Sequence, residues 1–94
     1  MPIVAVFEGI TREQYEESVR KLTGGDRMAA PSDWPVEGLL VHVAGQGERA
    51  FRVVDVWESE EAFQSFGEVL LPILREIGVE GQPEVYAAHT FVSA

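Results

Sequence analysis

The stretch from Gly38 to Leu71, GLLVHVAGQGERAFRVVDVWESEEAFQSFGEVLL, limits the fold more than any other part of the chain. Two runs of alternating side chains flank a Gly-Gln-Gly turn, and Ser59 caps a helical pattern directly after the second run. A strand, a strand and a helix therefore follow one another with almost no linker. Ninety-four residues make one domain spanning 1–94. A chain this short buries only roughly 60–65% of its unfolded surface, so contact with a partner would add to its stability.

The segments on either side complete the pattern. Ile3 to Glu8 is rich in β-branched and aromatic residues and stops at Gly9, as a first strand does. Thr11 and Gln14 have the spacing of a capping box, with Ile10 and Tyr15 at the two staple positions. Tyr15, Val19 and Leu22 make an apolar stripe, Arg20 and Lys21 lie near the negative end of the helix dipole, and Gly24-Gly25 ends the helix. From Asp26 to Glu37 two prolines and no periodicity predict a loop, long enough to serve as a lid, with Trp34 docking on something apolar. After Ser59, Phe63, Phe66, Leu70, Ile73 or Leu74, and Ile77 step along one helix face. Pro72 is expected to break or kink that helix, Gly78 to stop it, and Gln82 to Phe91 to form the last strand.

The order β-α-β-β-α-β predicts an α+β, ferredoxin-like fold: a four-stranded antiparallel sheet in the order 4-1-3-2 with both helices on one face. With a hairpin loop of Gln46-Gly47, or of Gly45 to Glu48, paired positions sum to 93, so His42 faces Phe51 and Leu40 faces Val53. One sheet face then carries Leu39, Val41, Val43, Ala50, Val54 and Val56, and its aliphatic character assigns it to the helices. The other carries Leu40, His42, Ala44, Phe51, Val53, Asp55 and Trp57. That second face is left bare over at least roughly 380 Å², at ~4.8 Å between strands and ~3.3 Å per residue. A patch of this size calls for a cover.

Gly9 before TREQY, the GLLVH strand, the segment VVDVWESEEAFQSF, and LLPIL followed by Gly78 together resemble small members of the dimeric α/β-barrel superfamily, the group that includes antibiotic biosynthesis monooxygenase-like proteins. The resemblance covers nearly the whole chain. It implies a homodimer with two sheets packed face to face, and a pocket between sheet and helices or near the barrel mouth. The superfamily spans cofactor-free oxygenases, haem-degrading enzymes, isomerase-like and lyase-like enzymes, so the resemblance leaves the chemistry open.

Sixteen acidic against seven basic residues give a formal charge of −9, which repels phosphate backbones and anionic membranes. Neither nucleic acid nor membrane is an expected partner. The absence of cysteine and of a basic leader before the apolar start suits a cytoplasmic protein. Gly45-Gln-Gly-Glu-Arg-Ala50 matches the letters of a dinucleotide fingerprint, but a strand rather than a helix follows it, so it reads as a hairpin. No cofactor is expected, and no spacing of ligating residues suggests a metal.

His42 interrupts an otherwise apolar face and is the candidate general base, although packing against a neighbour is the commoner fate of such a histidine. Asp55, about four residues further along the sheet by the same register and so too far from His42 for direct contact at ~3.3 Å per residue, is the second candidate. Its commoner role is to accept a hydrogen bond, for instance from the Trp34 indole. Trp57, Trp34, Phe51 and Leu40 are the candidate ligand-binding side chains. His89 lies on the last strand, with its face undetermined. The expected function is the binding of a small apolar or aromatic molecule by a homodimer. The alternative is a cofactor-free monooxygenase or isomerase acting on an aromatic or polyketide-like compound, which needs little beyond a dry pocket and one proton acceptor.

Overall fold

The computed structural model describes residues 1–25 and 33–93. Its elements run β1 (Ile3–Phe7), α1 (Arg12–Thr23), β2 (Leu39–Gln46), β3 (Phe51–Trp57), α2 (Glu60–Ile77) and β4 (Glu84–Ala87). The four strands form one antiparallel sheet in the order β2-β3-β1-β4, and the fold is ferredoxin-like as the element order predicts. Among the described residues no helix is long and apolar enough to cross a membrane. The fingerprint-like glycines belong to the hairpin: Gly45 lies in β2, and the Gly47 N–H closes the turn on the Ala50 carbonyl at 2.9 Å.

Local signals set the ends of both helices. The capping box at α1 is complete: the Thr11 hydroxyl accepts from Gln14 N, and Gln14 Oε1 accepts from Thr11 N, each at 3.0 Å. Ile10 is buried with Tyr15 packed against its cluster, which fixes the angle at which the chain enters the helix. Gly24 and Gly78 end the two helices at φ 76° and 86°, a left-handed conformation open to glycine at little cost. α2 runs on through Pro72, so of the two outcomes expected there the break does not occur. Pro72 and Glu68, whose carbonyl loses its donor there, are both exposed, so water can take over the missing bond. The last strand is shorter than the predicted Gln82 to Phe91. His89 lies beyond its end in an exposed bend, which separates it from His42 on β2.

The central hairpin corrects two expectations. Gln46 pairs with Phe51, so the loop is Gly47 to Ala50 and the pairs sum to 97; His42 stands opposite Asp55, not Phe51, and Ala44, not Leu40, stands opposite Val53. The register also slips by one residue between Leu39 and Val41. Leu39 pairs with Trp57 and Val41 with Val56, which leaves Leu40 as the extra residue of a β-bulge.

The second correction concerns the faces. The helices cover the mixed face. Trp57, Leu39 and Ile3 join Val19, Trp34 and Phe66 in one core cluster, while Phe51, Val53 and Phe7 pack with Ile10, Leu74 and Val79 in another. Alternation from these pairs puts Val4, Val6, Val41, Val43, Val54 and Val56 on the outer face, where Val43 is 56% exposed. The aliphatic face assigned to the helices is therefore the bare one. Of its expected members, Leu39 moves to the core side through the bulge and Ala50 falls in the turn.

Candidate functional site

Opposite residues on adjacent strands bring their Cβ atoms within about 5.5 Å on the same face. The 97 register thus places the His42 and Asp55 side chains side by side, and His42 Nδ1 lies 2.5 Å from Asp55 Oδ1. The expectation that they lie too far apart for contact fails because it rested on the wrong turn. On β1 Ala5 stands opposite Asp55, and its small side chain leaves room beside the carboxylate.

Tyr15 completes the arrangement from α1, its hydroxyl 2.6 Å from His42 Nε2. A carboxylate can only accept, so Nδ1 carries the hydrogen toward Asp55; in a neutral imidazole Nε2 then accepts from the phenol. The result is a continuous chain from the Tyr15 O–H through the imidazole to Asp55. His42 and Asp55 side chains are each 11% exposed. The low local dielectric strengthens bonds of this kind and makes an unpaired member costly.

Aromatic rings hold the chain in place. Tyr15 lies nearly parallel to the His42 ring, at 5.8 Å and 14°, and tilts against Phe51 at 5.3 Å. Trp34 also packs against the His42 ring, with centroids 4.9 Å apart and planes tilted at 47°, and stacks on Phe66. The expected docking of Trp34 is thus observed. Residues 26–32 of the proposed lid lie outside the described residues. The Trp34 indole does not donate to Asp55 as suggested from the sequence: His42 holds that carboxylate, and Trp34 Nε1 is buried with no partner among the described residues.

Beside the chain, between sheet and helices, lies a cavity of about 70 Å³. Tyr15, Ser18, Trp34 and Asp55 contribute to a wall that is otherwise mainly apolar, with Phe63, Phe66 and Leu70 among the facing side chains. The structure therefore brings His42, Asp55, Trp34 and Phe51 together. Trp57 is fully buried against Phe66 and acts as core, while Leu40 projects from the bulge, 39% exposed, away from the cavity wall. Among the described residues no group of three His, Asp or Glu side chains is arranged to hold a metal.

Tyr15 is the residue that sequence reasoning missed as a site member. It was legible as a staple and a stripe residue, yet a phenol on a core-facing stripe also needs a partner for its hydroxyl. Burial first, and the neighbouring Asp55 charge second, raise its pKa above the usual 10.0. The folded chain consequently holds this proton to higher pH than the unfolded chain does. The associated stability is whole below the ordinary phenol value and declines as pH rises through the raised one. Thermal melts from pH 9 to 11.5 should show an alkaline loss that is smaller in Tyr15→Phe; equal slopes would mean the phenol is not shielded.

No protein-family model and no curated protein matches this sequence. Function is therefore read from the geometry of the site.

Proposed function

We propose that this domain binds a small, mainly apolar or aromatic molecule with an acidic hydrogen, and takes that hydrogen as a proton through His42. The observation that carries the reading is the Tyr15–His42–Asp55 chain at the edge of an apolar cavity. Asp55 orients the imidazole and stabilises the imidazolium formed when a proton arrives, so the anion left on the ligand has a nearby counter-charge. Isomerisation is the simplest outcome of such a step. A ligand anion that reacts with dioxygen would instead give cofactor-free oxygenation, the chemistry known in part of the dimeric α/β-barrel superfamily that the sequence resembles. Binding without turnover is the second reading, favoured by the fact that both nitrogens of His42 are already engaged, as in a purely packed histidine.

A panel of flat phenols and enolisable ketones, followed by tryptophan quenching together with oxygen uptake and proton exchange, separates these readings. His42→Ala is expected to lower exchange or turnover by roughly 10²-fold or more while quenching persists. If the variant exchanges protons like its parent, the proton-transfer reading fails and binding alone remains.

The domain is further proposed to form a homodimer through the outer valine face. Val43 and Tyr86 are 56% and 48% exposed, which supports a missing cover on this side of the sheet. An interface of ordinary size buries ~1,200 Å² or more in total. Sedimentation equilibrium at micromolar concentration should report about twice the 10.4 kDa chain mass; a monomer at that concentration removes the barrel arrangement.

A further inference from the structure

Tyr15 separates two spaces. On its inner side is the cavity of about 70 Å³; on its outer side an open groove of about 390 Å³ runs between the start of α1 and the end of β2, lined by Arg12, Tyr15, Glu16, Gln46 and Phe51 with Ala44 and Gly45. Tyr15 is the one described residue common to both linings, and His42 belongs to neither. An apolar cavity needs about 150 Å³ to take a benzene ring. An aromatic ligand therefore has its body in the groove, where Tyr15 is the only member of the Tyr15–His42–Asp55 chain that it can meet.

We infer that the Tyr15 oxygen, rather than the His42 imidazole, is the atom that receives the ligand's proton, with His42 and Asp55 acting through it. The ligand class is a one- or two-ring aromatic or enolisable molecule that lies against Phe51 and presents its acidic hydrogen to the phenol. In the step, the ligand's bond to hydrogen breaks and its electron pair stays on the ligand. The hydrogen goes to Tyr15 Oη as the tyrosine's own proton passes to His42 Nε2. The Nδ1 hydrogen remains on its bond to Asp55. Tyrosine ends as a neutral phenol donating to the new anion, and the positive charge rests on the imidazolium two bonds away. Such a relay needs a phenol that keeps its proton at rest, and burial keeps Tyr15 in that form. It also explains how a histidine with both nitrogens occupied can take part in proton transfer.

The inference rests on the proton-transfer reading above, and one probe tests the two separately. 5-Nitrobenzisoxazole is a two-ring carbon acid: loss of its C3 hydrogen forms a nitrile as the N–O bond breaks, releasing a coloured phenolate. If Tyr15 is the contact, Tyr15→Phe lowers kcat/KM by about 10²-fold or more while tryptophan quenching by the probe is retained. If His42 is the contact, the same variant frees Nε2, and the rate holds or rises; that outcome overturns the inference and leaves the proposed function standing. If the wild-type protein binds the probe without turnover, the proton-transfer reading itself falls and the inference with it. Should Tyr15→Phe not fold, the wild-type rate in mixtures of light and heavy water decides. The C3 hydrogen is carbon-bound and does not exchange, so the relay leaves one solvent-derived proton in flight, from Tyr15 to His42, and slows the rate linearly with deuterium fraction; a rate insensitive to deuterium overturns the relay.

Discussion

Trp57→Ala is expected to remove a large share of the fold's stability. The indole is 0% exposed, lies 4.8 Å from the Phe66 ring, and shares its cluster with Val19, Trp34 and Leu39. Removing a buried Trp side chain costs about 3–5 kcal/mol, because the lost transfer energy is joined by the cost of a cavity that its neighbours cannot fill. A chain of this length has only about 5–14 kcal/mol in total, at roughly 0.05–0.15 kcal/mol per residue. At about 4–8 °C per kcal/mol, the melting temperature should fall by ~15 °C or more. The same variant separates core from ligand contact: a fall of less than ~5 °C with loss of ligand quenching would return Trp57 to the ligand-binding residues.

The second large effect distinguishes the two sides of the sheet. Phe51→Asp places a carboxylate on the helix side of the sheet, against the Tyr15 ring at 5.3 Å, at a half-buried position that borders the groove also lined by Arg12. The lost packing against Ile10, Leu74 and Val79 and the partial desolvation of the charge both lower stability, and circular dichroism should show a clear fall in melting temperature. Val43→Asp, on the outer face, leaves the carboxylate in water and the fold intact; its effect should appear in sedimentation, as a shift from dimer toward monomer. The reverse pattern, a lower melting temperature in Val43→Asp than in Phe51→Asp, would invert the face assignment.

What could be read in advance was what local chemistry dictates. Thr11 with Gln14, Ser59 with its following glutamates, and the glycines after each helix mark boundaries through bonds spanning three or four residues, and the element order follows from them. The register was not legible, because GQGERA admits several turns and only tertiary packing chooses among them. Alternation divided β3 correctly, with Val54 and Val56 on one side and Phe51, Val53, Asp55 and Trp57 on the other. Choosing the purely aliphatic side as core was the error. His42 and Asp55 look costly to bury as single residues, but each satisfies the other, and Tyr15 closes the set from 27 positions away. Sequence alone does not reveal that pairing.

The bulge at Leu40 has a consequence for how this chain can change. Strict alternation that turns Leu39 inward would turn His42 outward, three positions later. The additional residue lets both point toward the helices, so β2 behaves as two short strands of opposite phase joined end to end. Loss of one codon there would force a choice: either the leucine leaves the core or the imidazole leaves its aspartate and tyrosine. Exchanging the exposed Leu40 for another residue preserves the phase, whereas removing it does not. The proton-bearing chain thus depends on the number of residues in this strand as firmly as on their identity.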